Sequence, residues 1–220
     1  LTAQIHADSV ALEQALLALE EQQQQLKSLQ QKRKQLIAEM SREIEQDQQR
    51  ISALEADREA LQQLIEGIQD VVERDESQAA LQQYSQQWGD FTQAKGQLPW
   101  PVSGKRSKQF SGAGQKSDVK WPGITIKANA GEPVRAIFPG TVVFSDWFKG
   151  LGLLLIIDHG GGYWSLYGRN QSVLSKPGTL VSAGETIATV GNSGGQGEPA
   201  LYFEIRQNGQ PSDPSHWCKS

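Results

Sequence analysis

All nine prolines of this chain lie at residue 99 or beyond, and the 98 residues before them contain none. A backbone with every amide donor intact can carry one helix without a break. Apolar residues recur there at alternating steps of three and four. One seam runs Leu16, Gln23, Gln30, Ile37, Ile44, Ile51, Arg58, Ile65, Val72, and the other Ile5, Leu12, Leu19, Leu26, Arg33, Met40, Asp47, Leu54, Leu61, Ile68. Fourteen of these nineteen positions are apolar and the register never slips. A 3.5-residue repeat sustained this long predicts a coiled-coil helix over residues 1–74, roughly 100 Å long at about 1.5 Å per residue. Such a stripe needs a partner, which a second copy, a helix outside this chain or another protein can supply. Gln23, Gln30, Arg33, Asp47 and Arg58 interrupt the seam. Polar seam residues fix register and partner choice at some cost in stability; alternatively, the polar stretch from Gln22 to Lys34 receives a partner protein.

The two halves differ in charge as well as in proline. Residues 1–98 carry nine Lys/Arg against seventeen Asp/Glu, and residues 99–220 carry twelve against eight. The net of −4 therefore hides an acidic half and a mildly basic one, which can attract each other or divide two partners between them. The basic excess is small and scattered and comes with no aromatic-basic motif, which argues against nucleic acid. No run of about 18 apolar residues exists to span a membrane. One cysteine, Cys218, permits no internal disulfide. The chain opens in mid-pattern at Leu1-Thr2-Ala3-Gln4, without a signal peptide, as a processed fragment does.

From 75 to 98 the heptads fade. Asp75-Glu76-Ser77 resembles a helix start, and Leu81, Tyr84, Trp88 and Phe91 then recur at helical spacing on a short amphipathic helix that ends near Gly89 or Gly96. This aromatic stripe is either a strap packed on the following domain or a regulatory arm that plugs a binding groove there. Residues 99–220 alternate short apolar runs with Gly and Pro: Val134–Phe138, Gly140–Ser145, Leu151–Asp158, Tyr163–Tyr167, Thr186–Gly191 and Leu201–Arg206. That spacing predicts a mostly antiparallel β domain, so the whole is α + β in two parts.

Three segments of the second half carry a family resemblance: Lys120-Trp121-Pro122-Gly123-Ile124-Thr125-Ile126, Leu166-Tyr167-Gly168-Arg169 and Ala200-Leu201-Tyr202-Phe203-Glu204-Ile205-Arg206. In order and spacing they resemble the zinc signatures of the lysostaphin/LytM-type endopeptidases, His-x-Gly-x-Asp, a histidine after Tyr-Gly or Tyr-Ala, and His-x-His-Phe-Glu. The three ligand positions hold Trp121, Thr125 and Tyr202, and the two catalytic histidine positions hold Arg169 and Ala200. A catalytic zinc needs about three His, Asp, Glu or Cys ligands. The histidines of this chain are His6, His159 and His216, and none falls in a motif. His159 matches a turn residue. Gly131-Glu132-Pro133-Val134-Arg135-Ala136, Leu180 to Glu185 and Val190 to Gly195 also sit where that family places them.

A long helix ahead of a LytM-type domain without zinc ligands is similar to the EnvC-type murein hydrolase activators. The resemblance implies a duplicated-hybrid-like β fold, no catalysis and no metal. It also implies activation of periplasmic N-acetylmuramyl-L-alanine amidases that split septal peptidoglycan at division, with recruitment by the FtsEX complex through the coil. On that basis Lys120, Trp121, Thr125, Tyr167, Arg169, Ala200, Tyr202 and Arg206 are expected to line a partner-binding groove, with aromatic and arginine anchors of the kind interface hot spots favour. Tyr202 and Trp121 also fit plain packing roles, and Glu204 fits a structural one beside a base. The alternative is a peptidoglycan-binding module without an amidase partner.

Overall fold

The computed structural model describes residues 2–72, 89–106, 122–195 and 197–219, without the side chains of residues 2–5, 7–11, 15 and 69–72. Helix α1 runs unbroken from Thr2 to Val72, as expected of a proline-free segment. Ten strands follow among the described residues: β1 Lys105–Arg106, β2 Ile124–Lys127, β3 Pro133–Arg135, β4 Gly140–Phe148, β5 Gly152–Asp158, β6 Tyr163–Val173, β7 Leu180–Val181, β8 Thr186–Val190, β9 Ala200–Gln207 and β10 Gln210–Ser212. Each of the six apolar runs singled out in the sequence meets a strand, although Ala136, Ile137 and Phe138 of the first run lie past the end of β3, and β4, β6 and β9 extend beyond their runs. Every strand pairing is antiparallel, in the order β1-β2-β9-β6-β5-β4-β7, with β10 on β9 and β8 joining β3 to β6.

The chain divides into two compact units, residues 1–52 and 53–220. In the first, the seam is open to solvent: Leu12, Leu16, Leu19, Leu26, Ile37, Met40, Ile44 and Ile51 are each 41–64% exposed. The second unit takes in the last turns of α1 together with the sheet. Because side chains alternate across a strand, its central strands β5, β6 and β9 carry two apolar faces. Leu155, Ile157, Tyr167, Leu201, Phe203 and Ile205 point into the main core, with Ile126, Val134 and Val190. Leu154, Ile156, Trp164, Leu166 and Tyr202 form the other face, and Leu61 and Ile65 of α1 close over it with no residual exposure.

A clasp joins both ends of the β domain. Leu98 bridges to Cys218, donating its amide to Trp217 O at 3.1 Å and accepting one from Lys219 at 2.9 Å. Trp100 Nε1 donates to Lys219 O at 2.6 Å, and the Arg106 guanidinium covers the Trp100 ring at 4.4 Å. Phe91 begins a 3-10 turn, Phe91–Ala94, and is buried among aromatic rings: His159 at 4.9 Å, Tyr163 at 5.0 Å, Trp217 at 4.9 Å and Phe138 at 5.3 Å. Of the expected short helix, Leu81, Tyr84 and Trp88, and the start at Asp75, lie outside the described residues. Phe91 belongs to the main core, on the sheet face opposite Tyr202.

Candidate functional site

Strand β9 sets the site. Its alternation sends Leu201, Phe203 and Ile205 into the main core and leaves Ala200, Tyr202, Glu204 and Arg206 on the other face, all of them buried. Thr125 on β2 stands directly opposite Tyr202, and Gly168 on β6 faces Tyr202 from the other side. Of the flanking glycines, Gly123 is sterically required and Gly168 sits in a tighter-than-usual contact. A Cβ on Gly123 would sit 2.6 Å from Phe203 O and from the Tyr202 ring, and one on Gly168 would sit 3.3 Å from Tyr202 Cδ1.

A buried polar chain runs along this face. Tyr202 Oη donates to Glu204 Oε2 at 2.5 Å and accepts the Gly123 amide at 3.0 Å. Arg206 Nε donates to Glu204 Oε1 at 2.6 Å, and Arg206 Nη1 donates to Gly209 O at 3.0 Å and to Gln62 Oε1 of α1 at 2.8 Å. Burial, reinforced by the Glu204 carboxylate, holds the Tyr202 hydroxyl well above the usual phenol range, so it is a neutral donor at any physiological pH. Glu204, expected in a structural role beside a base, takes that role with Arg206 and is fully buried.

Arg169 sits close by with a left-handed backbone (φ 65°). Its amide donates to Leu151 O at 2.6 Å and its Nη2 to Glu198 O at 3.2 Å, while burial lowers the guanidinium pKa. Ala200 is buried at the start of β9. Lys120 and Trp121 lie outside the described residues. Tyr167 does not join the others. Its side chain points into the main core, where Oη accepts the Ile137 amide at 3.2 Å and the Ser165 hydroxyl at 3.0 Å. Tyr167 and Gly168 are neighbours on one strand, and strand alternation allows only one of two neighbours to face Tyr202. His159 is likewise internal, bonded through Nδ1 to Pro139 O at 2.8 Å and through Nε2 to Ser165 Oγ at 2.7 Å.

Four residues of α1 complete the face. Leu61 and Ile65 cover the apolar part, Gln62 meets Arg206, and Asp57 Oδ1 pairs with Lys149 Nζ at 2.8 Å. The heptad pattern marked Leu61 and Ile65 as apolar seam positions, but nothing in it distinguishes a seam facing a sheet from one facing another helix.

The residues at the three ligand positions do not suit a zinc ion. Thr125 offers an aliphatic hydroxyl, Tyr202 a neutral phenol already engaged by Glu204 and Gly123, and the Trp121 indole has no lone pair to give. No group of three His, Cys, Asp or Glu side chains comes together to hold a metal among the described residues.

Residues 119–214 match Peptidase family M23. The murein hydrolase activator EnvC of Escherichia coli (strain K12) is 45% identical over 129 residues, which is 59% of this chain and 30% of that protein. A lipoprotein NlpD/LppB homolog of Pseudomonas aeruginosa is 38% identical over 122 residues, 55% of this chain and 39% of that one. This chain thus spans well under half the length of either relative. A putative peptidase M23 from Pseudomonas aeruginosa of known structure superposes with a TM-score of 0.49 at 24% identity, covering 56% of this chain and 50% of that one. The segment that contains Thr125, Arg169, Tyr202 and Glu204 is the part of this chain that matches Peptidase family M23.

Proposed function

We propose that this chain is a non-catalytic activator of periplasmic N-acetylmuramyl-L-alanine amidases, acting at the division site and binding the amidase through the face built around Tyr202. One observation carries this assignment: the position where an M23 peptidase places its last histidine ligand holds a buried phenol tied to Glu204 and Arg206. The site has thereby become a rigid wall of a protein-binding surface. Similarity to a named murein hydrolase activator supports the class of function. Thr125, Arg169, Ala200, Tyr202 and Arg206 belong to that surface, and Lys120 and Trp121, which lie outside the described residues, are assigned to it from the sequence motif alone. Residues 53–68 of α1 cover its apolar part, so the chain as described is the resting form and the partner gains access when this strap lifts. The exposed seam of α1 is the region we assign to recruitment by the FtsEX complex.

Dye release from labelled peptidoglycan tests the proposal. The chain alone releases no dye even with added zinc. A purified amidase is stimulated by the Leu61→Ala/Ile65→Ala variant, in which the strap has lost its apolar anchors, and less by the parent chain. Release by the chain alone revives the peptidase. Failure of the loosened variant to stimulate overturns the activator, and retention on peptidoglycan sacculi then identifies a glycan-binding module.

A further inference from the structure

Eight large apolar residues stand 41–64% exposed along the seam of α1 within the first unit, and the order of polar and apolar residues in that seam tells what covers it. Leu16, Gln23, Gln30, Ile37 and Ile44 occupy one seam position, and Leu12, Leu19, Leu26, Arg33 and Met40 the other. Two parallel copies in register set each of these residues against itself. Arg33 then faces Arg33 and Asp47 faces Asp47 inside the seam, so like charges oppose the parallel pair.

Antiparallel copies set one seam position against the other. With the two-fold axis at Ser28, a residue before Ser28 on one copy stands level with the residue equally far after it on the other. Leu12 then meets Ile44, Leu16 meets Met40 and Leu19 meets Ile37, apolar on apolar. Gln23 meets Arg33, polar on polar, Asp47 comes level with Ser9, and only the Leu26–Gln30 layer is mixed. Sliding one copy by a heptad sets Leu16 against Asp47 in one direction and against Arg33 in the other, which buries a charge on an apolar residue. The flanks of the seam agree with the same axis. Glu20 comes beside Lys34 and Asp8 beside Arg50, each pair occurring twice, against a single like pair of Lys27 with itself. Leu29, which is 65% exposed and lies outside the seam, falls beside Leu29 of the second copy.

We propose that α1 is a self-association surface, in which residues 12–44 pair antiparallel with the same residues of a second copy of this chain about a two-fold axis at Ser28. The contact is isologous, so every complementary pair is made twice. The inference needs only α1 and stands apart from the activator assignment; a recruiter that takes this seam displaces the second copy.

Sedimentation equilibrium of the full chain is expected to show a concentration-dependent species of twice the single-chain mass of 24.2 kDa. A chain that keeps the single mass at every concentration leaves the seam to a different helix and overturns the proposal. Orientation is read with a short bis-maleimide, the parent chain with its buried Cys218 serving as control. Leu29→Cys joins two copies covalently. Leu16→Cys does not, because the two copies of that position lie about 36 Å apart along the antiparallel pair. Covalent joining through Leu16→Cys overturns the antiparallel register. Charge is tested by Glu20→Lys, which sets a lysine beside Lys34 twice and is expected to weaken association about fivefold. The double variant Glu20→Lys/Lys34→Glu restores it. Unchanged association in the single variant, or no recovery in the double, overturns the register. All the substituted positions are exposed in the single chain, so none of these changes puts its folding at stake.

Discussion

At the scale of single residues, His159 and Tyr202 occupy fully buried polar positions and make opposite demands. His159 is enclosed by Pro139 O, Ser165 Oγ and the Phe91 ring. Burial drives its pKa down to about 4, against 6.5 in an unfolded chain. The native state thus excludes a proton that the unfolded state accepts. Stability from this group is complete above pH 6.5 and declines as pH falls toward 4, by about 3 kcal/mol at most. Urea midpoints measured from pH 7 to pH 4 show that decline, and a His159→Gln chain, less stable at pH 7, shows a flatter slope. Tyr202→Phe removes a donor from a buried carboxylate, at a cost of about 1–3 kcal/mol in the same assay. A loss much below 1 kcal/mol means that Glu204 has found another donor. Both tyrosines of the motifs stood out in the sequence, but only strand parity separates them. Tyr202 lies on the site face with Glu204 and Arg206, and Tyr167 lies on the core face with Phe203.

At the scale of elements, α1 shows how much a pattern specifies and where it stops. The absence of proline and the unbroken heptads predicted one long helix, and the helix runs Thr2–Val72. The strands were legible because their apolar runs end at glycine and proline turns. The docking of Leu61 and Ile65 on the sheet was not legible, because an apolar stripe encodes burial and not the identity of what buries it. Leu19 and Leu61 occupy the same heptad position, yet Leu19 is 53% exposed and Leu61 is fully buried. The buried contacts of the strap are few, so it belongs to the low-stability end of the second unit and opens before the strands do. Hydrogen exchange on the Leu61→Ala/Ile65→Ala chain is expected to lose protection across residues 53–68 and retain it in β5, β6 and β9. Uniform loss across the strands means that strap and sheet unfold as one.

At the scale of the whole second unit, the β domain is closed by segments from both sides of its sequence. Phe91 and Leu98 precede the first strand, Trp217 and Cys218 follow the last, and all four lie in the main core. A domain starting at residue 99, the boundary suggested by composition, omits the first two. The composition shift follows proline and glycine content, whereas the core follows aromatic contacts, and the two diverge over residues 91–98. Phe91→Ala in the full chain removes a ring stacked on His159 and Tyr163 and packed on Trp217 and Phe138, a change that costs about 3–5 kcal/mol in a well-packed core. Cys218 provides an independent reporter. It is buried beside this cluster, and burial pushes its thiol pKa up to about 12, so in the intact clasp it reacts slowly with a thiol reagent. With Phe91 gone, the Leu98–Cys218 bridge loosens, and labelling of Cys218 is expected to accelerate at least tenfold at pH 8 under native conditions, ahead of global unfolding. The same variant leaves the strap anchored on the opposite face, so exchange protection over residues 53–68 should persist while Cys218 becomes reactive. Faster labelling with intact strap protection establishes that clasp and strap are separate locks on one sheet. Loss of both together means that the two faces are coupled through the strands, and that residues 89–98 contribute to covering the site as well as to closing the core.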